Sequence, residues 1–182
     1  MTKRTLPLLA ALAAAFATAA TAVASTITAT GTVTGAGAVS IAAGSTASFA
    51  DILDGTDQTV SYQLPLTVVD ARGTGGGWNL TITSTAFTTG THSLAATASS
   101  LASVTLACTA GSTCTLPTSS VTLPVAVPAA ATAPAAVKFF NAAPTTGMGS
   151  FTVTPTVNVS IPGNSYAGSY QSTVTVAVAA GP

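Results

Sequence analysis

Thr152-Val-Thr-Pro-Thr-Val-Asn-Val-Ser-Ile161 puts Val153, Val157, Val159 and Ile161 on odd positions and Thr152, Thr154, Thr156, Asn158 and Ser160 on even ones. A period of two is that of a β-strand with one wet face. The pattern recurs. Val60, Tyr62, Leu64, Leu66 and Val68 oppose Ser61, Gln63 and Thr67. Val174, Val176 and Val178 oppose Thr173 and Thr175, and Ile27, Ala29 and Val33 oppose Thr at 26, 28, 30, 32 and 34. Beyond the N-terminal segment, helix formers are scarce: the chain has no Glu, and β-branched residues abound, whose stiffness at χ1 favours strands. Ala129 to Ala136 has helix-forming composition, but Pro128 and Pro134 break it, so it reads as a loop. The fold class that follows is all-β: a single β-sandwich-like domain of many short, mainly antiparallel strands. Pro65 makes its run an edge strand or marks a bulge. Residues 99–136 alternate weakly and read as a loop-rich insertion, either long loops or an inserted hairpin, that carries Cys108 and Cys114. Thr173 to Val178 is expected to be an inner strand, because its valines face one way.

The first 24 residues have the form of a signal peptide. Lys3-Arg4 is a basic start, Leu6 to Phe16 an apolar stretch, and Ala22-Val-Ala24 a small-residue cleavage site. Residues 25–182 are then the exported domain, with Arg72 and Lys138 against Asp51, Asp54, Asp57 and Asp70. That balance is slightly acidic and excludes a nucleic-acid partner, which needs several cations on one face. Later apolar runs are too short to cross a membrane as helices. With no sorting tail at Gly181-Pro182, attachment to a cell is expected to be non-covalent. Cys108 and Cys114, six positions apart, are expected to form a disulfide in an oxidising compartment. Their spacing suits neither C-x-x-C redox chemistry nor a zinc site.

Asp70-Ala-Arg-Gly-Thr-Gly-Gly-Gly-Trp-Asn-Leu80 holds the only tryptophan of the chain. Trp78, Leu80 and Ile82 share one face of a strand, and Asn79, Thr81 and Thr83 the other. That placement favours a core tryptophan, with the glycines as the turn leading into the strand. The alternative is a contact surface: Trp78 and nearby amides against a sugar ring, with Asp70 and Arg72 pairing with each other or with polar groups of a ligand.

The same residues, from Asp70 to Phe87, resemble the first motif of the WxL domain, a surface module of Gram-positive bacteria, with Trp78-Asn79-Leu80 as the W-x-L. Lys138-Phe-Phe-Asn-Ala-Ala-Pro-Thr-Thr-Gly-Met-Gly149, Ile161-Pro162, Tyr166-Ala-Gly-Ser-Tyr170 and Thr173-Val-Thr-Val176 resemble its distal half. The family usually carries a second W-x-L in its last strand, whose place Val176-Ala-Val178 takes here. The resemblance implies a secreted, non-enzymatic module at the cell surface or cell wall. Its expected partner is peptidoglycan or another wall polymer, alongside other surface proteins. On this reading Asp70, Arg72, Gly75, Gly77, Trp78, Asn79 and Leu80 are the wall-binding candidates, and no cofactor is expected.

Other features point to less. Asp51, Asp54 and Asp57 gather three carboxylates that suit a Ca²⁺ loop or a solvated turn equally well, without the alternate spacing of a helical calcium loop. His92, the one histidine, sits in the turn composition T-G-T-H-S, and its neighbours form no Ser-His-Asp or paired-carboxylate arrangement, so no enzyme is indicated. The T-x-T pairs recur at no fixed period. A low-charge all-β chain with edge strands also suits a self-assembling structural or adhesive surface subunit.

Overall fold

A computed structural model describes residues 28–44 and 46–182. The signal-peptide assignment to residues 1–24 lies outside them. Twelve strands follow in order: β1 Ser40–Ala43, β2 Gln58–Gln63, β3 Leu66–Asp70, β4 Trp78–Thr85, β5 Thr88–Thr89, β6 His92–Ser93, β7 Ser99–Cys108, β8 Val125–Ala126, β9 Ala129–Ala130, β10 Val137–Ala142, β11 Gly149–Ile161 and β12 Val174–Ala180. The described residues contain no helix. Val33–Pro182 forms one compact unit.

β11 is the spine of the larger sheet. Its odd residues Phe151, Val153, Val157 and Val159 are fully buried, as the period of two requires. One edge of β11 pairs with β7 along nearly its whole length. The other edge is shared, by β3 opposite residues 149–153 and β2 opposite residues 156–161. The handover falls at Pro155, where Leu64 N–H donates to the Pro155 carbonyl at 2.9 Å. Pro65 lies beside this break and, like Pro155, has no N–H to give a ladder, so the long alternating run from Val60 divides there into two strands. β1 covers the outer edge of β3, and β8 that of β7.

The smaller sheet is centred on β4, flanked by β10 and β12, with β9 adding a short parallel pairing. Trp78, Leu80 and Ile82 of β4 join Phe151, Val153, Val157 and Val159 of β11 in one hydrophobic cluster. The sandwich-like expectation therefore holds, with the inner faces of both sheets supplying the core.

Three local expectations are corrected. Ser99–Cys108, read as part of a loop-rich insertion, is a ten-residue strand. Its register slips between Thr156 and Val157 of β11, so that Ser103 and Leu101 are successive partners and Ala102 is extra. This bulge moves the core-facing set from Ser99 and Leu101 to Val104 and Leu106, which breaks the period a reader looks for. Second, β12 is not an inner strand: among the described residues it pairs with β4 alone, and its valines are half-buried. Third, the described part of the N-terminal threonine comb, residues 28–34, forms no strand, and Val33 is 98% exposed.

Cys108 and Cys114 are joined as expected, with Cα atoms 5.7 Å apart. The bridge closes a small loop at the end of β7, away from the centre of the core. Replacing both cysteines with serine is expected to cost about 2 kcal/mol and to leave the fold intact. A calorimetric midpoint with an unchanged circular-dichroism spectrum checks this, and two titratable thiols in the untreated protein would contradict it.

Candidate functional site

The segment between β3 and β4 is built from the inside. Asp70 ends β3 opposite Gly149 of β11, and its carboxylate is wholly buried. Arg72 meets it as a fork: Nε donates to Oδ1 and Nη2 to Oδ2, both at 2.8 Å. The Arg72 backbone N–H adds a third bond to Oδ1 at 3.2 Å. Nη2 also donates to the Gly77 carbonyl at 2.6 Å, which ties the two ends of the glycine turn together. A bidentate guanidinium–carboxylate pair fixes orientation as well as charge. The Arg72 hydrogen bonds hold the Asp70 carboxyl below its ordinary range, against the opposing push of burial.

This depressed pKa sets a direction for pH dependence. Its contribution to stability is complete above the unfolded-state carboxylate pKa of about 4 and is lost as pH falls through the lower folded-state value. We expect the thermal midpoint to drop on acidification. Asp70→Asn should lower the midpoint at neutral pH and flatten that acid limb. An identical acid limb in the variant would contradict this role for Asp70.

Gly77 has φ +70°, and a Cβ there would run into the Ala142 carbonyl of β10. Only glycine combines that backbone with that closeness. Trp78 follows with 0% exposure. Its ring lies 5.8 Å from that of Phe140 and 6.2 Å from that of Phe151, and its Nε1–H donates to the Gly147 carbonyl at 2.8 Å. A buried indole needs such a partner. Leu80 is also 0% exposed. Asn79 faces the other way and donates from Nδ2 to the Gly181 carbonyl at 2.9 Å, next to the Gly181 N–H bond to Gly77 at 3.1 Å. The Gly75 carbonyl accepts from Thr145 N–H at 2.7 Å.

All seven sequence candidates thus lie in one cluster, held mainly by internal contacts. Asp70, Gly77, Trp78 and Leu80 are buried, Arg72, Gly75 and Asn79 are partly so, and the exposed surface here belongs to Ala71, Gly73, Thr74 and Gly76. The distal stretch from Lys138 to Gly149 forms the seat for the tryptophan. Its bulge between Lys138 and Phe140 lets Phe139 and Phe140 both enter the core, as neighbours in a regular strand cannot.

Two residues of this seat lie in the stretch that resembles the family's distal half but carried no role in the sequence. Gly147 receives the indole N–H, and Asn141, 4% exposed, uses its Oδ1 to accept from Ser120 N–H at 2.9 Å and from the Ser119 hydroxyl at 3.1 Å. The likeness of Lys138 to Gly149 to the family's distal half was the only hint. In the last strand Val178 pairs with Leu80, and Ala180 with Trp78. The stretch standing in for a second W-x-L, Val176 to Val178, therefore lies opposite Leu80 to Ile82 and meets the first only where Val178 faces Leu80.

The remaining candidates stand apart. Asp51 Oδ1 accepts from Ile52 N–H, Asp54 Oδ1 from both the N–H and the hydroxyl of Thr56, and Asp57 Oδ1 from Gly163 N–H. Each carboxylate thus caps a different piece of chain. Among the described residues no three His, Cys, Asp or Glu side chains come close enough to hold a metal. His92 is exposed on β6, its ring stacked on Tyr166 at 3.6 Å.

No curated protein and no solved structure matches this chain. Residues 35–182 match the family model of the WxL domain, described as surface cell wall-binding. That span takes in all twelve strands and both halves of the tryptophan cluster, so the chain belongs to the WxL domain family of surface cell wall-binding modules.

Proposed function

We propose that the protein is exported, is retained outside the cell by non-covalent binding to peptidoglycan, and performs no catalysis there. The observation that carries this reading is the family match over residues 35–182. The basic and apolar start of the chain and a disulfide suited to an oxidising compartment support export. Within this reading, Asp70, Arg72, Gly75, Gly77, Trp78, Asn79 and Leu80 serve binding by holding the module's shape.

Co-sedimentation with purified sacculi, intact and stripped of teichoic acid, tests the reading. Retention on both is expected, and a protein left in the supernatant with both would refute it. A second reading, strand-to-strand self-assembly, is favoured by the one-sided pairing of β12, because an unpaired edge accepts another strand. Polymers formed without any wall material would identify it.

A further inference from the structure

A groove of about 1280 Å³ opens on the protein between the segment from Thr46 to Leu53 and the loop from Ser165 to Thr173. It is separate from the tryptophan cluster, sharing none of the seven candidate residues. All three tyrosines of the chain, Tyr62, Tyr166 and Tyr170, line it, together with Phe49 and Phe87. Five of the ten aromatic residues of a sequence poor in them therefore meet at one place. Phe49, Tyr62 and Phe87 pack as a cluster, with centroids 5.5 to 6.4 Å apart. Tyr166 stands at the rim, 63% exposed.

The rim is held in place. Thr88 and Gln171 exchange backbone bonds at 3.0 and 2.9 Å, and the Ser172 hydroxyl donates to the Thr85 carbonyl at 2.6 Å. A Cβ on Gly168 would lie 2.6 Å from Thr89 Oγ1, so the loop presses on the β5–β6 hairpin. The Tyr170 hydroxyl donates to the Tyr166 carbonyl at 3.0 Å, and His92 backs the Tyr166 ring. Aromatic groups fixed before binding lose little entropy when a ligand arrives.

The chemistry of the lining selects the ligand. Among the described residues, Asp51 supplies the only formal charge, while hydroxyls and amides of Ser165, Ser169, Gln171 and Thr88 alternate with the rings. Such a surface offers no counter-charge to an anionic peptide or a phosphate polymer, and a single carboxylate to a cationic one. It suits a molecule with apolar C–H faces and many hydroxyls: the C–H groups of a sugar ring lie against the negative face of an aromatic ring, and its edge takes hydrogen bonds. Burial raises the Tyr62 hydroxyl to about 12, which keeps it uncharged at any physiological pH.

We propose that this groove binds an uncharged amino-sugar chain, the glycan strand of the wall, through Tyr166 and Tyr170. The proposal rests on the reading of the protein as a wall-binding module and gives that reading a location.

The test uses the full chain and its Tyr166→Ala, Tyr170→Ala, Tyr170→Phe and doubly alanine-substituted forms, each checked for folding by circular dichroism, because Tyr166 is exposed but Tyr170 packs partly against the core. Binding to a soluble β-1,4-linked N-acetylglucosamine hexamer is measured by calorimetry, and retention on sacculi by sedimentation. Val176→Trp, which would fill the groove from β12 without removing a ring, is a second probe, checked for folding by circular dichroism. We expect hexamer binding that falls tenfold or more in the double variant and in folded Val176→Trp, with parallel loss of sacculus retention.

Unchanged binding of hexamer and sacculi by the double variant would overturn the groove and leave wall association standing. Retention on sacculi with no hexamer binding by the unsubstituted chain would do the same. Absence of sacculus retention would refute wall association, while tyrosine-dependent hexamer binding would still uphold the groove. Displacement of the hexamer by an acyl detergent with higher affinity would also overturn it, in favour of a lipid site.

Discussion

Trp78→Ala is expected to destabilise the protein by about 3 to 5 kcal/mol, to lower its yield and to make it sensitive to protease. The indole is wholly buried, lies against Phe140 and Phe151, and holds the turn at Gly147 through its Nε1–H. Alanine leaves a cavity between the two sheets and the Gly147 carbonyl without its donor. Both costs fall on the folded state, and native stabilities are commonly only about 5 to 15 kcal/mol. Chemical denaturation of the purified variant measures the loss. A midpoint within error of the unsubstituted chain would show that the core tolerates the hole and that the structural role of Trp78 is wrong.

The second large effect is expected at a residue that does not announce itself. Gly147 has φ +69°, and a Cβ there would stand 2.5 Å from the Ala142 Cβ and 2.7 Å from Trp78 Nε1. Gly147→Ala therefore adds left-handed backbone strain of about 1 to 2 kcal/mol to overpacking of about 1 to 3 kcal/mol. Because the added methyl displaces the indole, the variant should lose near-ultraviolet tryptophan dichroism along with stability. Gly73→Ala has the same sign of φ, at +69°, but nothing within 4 Å of the new Cβ. It should lose only the backbone part. Equal losses at the two glycines would mean that packing on Trp78 contributes nothing.

How much of this was legible follows from the range of each interaction. The period of two in β11, and on either side of Pro65, is written in adjacent residues, and those strands appear where the alternation puts them. β7 was hidden by a single bulged residue, Ala102, that inverts parity halfway along. The threonine comb shows the converse: alternation is a property of a segment, but a strand also needs a partner, and the described residues 28–34 form no strand. β12 has the valine face of an inner strand, yet among the described residues no strand other than β4 pairs with it.

The candidate site divides in the same way. The core position of Trp78 could be read from Leu80 and Ile82 on its own face, and the Asp70–Arg72 pair spans only two positions. The Gly147 seat lies 69 positions from the tryptophan, and Asn141 reaches back 21 positions to Ser120. Neither pairing has a periodic trace. The aromatic groove gathers Phe49, Tyr62, Phe87 and Tyr166 from four separate stretches, so only the folded chain brings it into view.

The central claim is that the tryptophan segment builds the wall-binding module without itself touching the wall. Its most direct test is to measure thermal midpoint and sacculus retention on the same preparations of Trp78→Phe and Arg72→Ala, scoring retention per folded molecule. Trp78→Phe loses the bond to Gly147, and Arg72→Ala leaves the buried Asp70 carboxylate without its partner. The account predicts lower midpoints for both, with retention of the folded fraction equal to that of the unsubstituted chain. Unchanged midpoints with retention lost would contradict it and make the segment the contact surface.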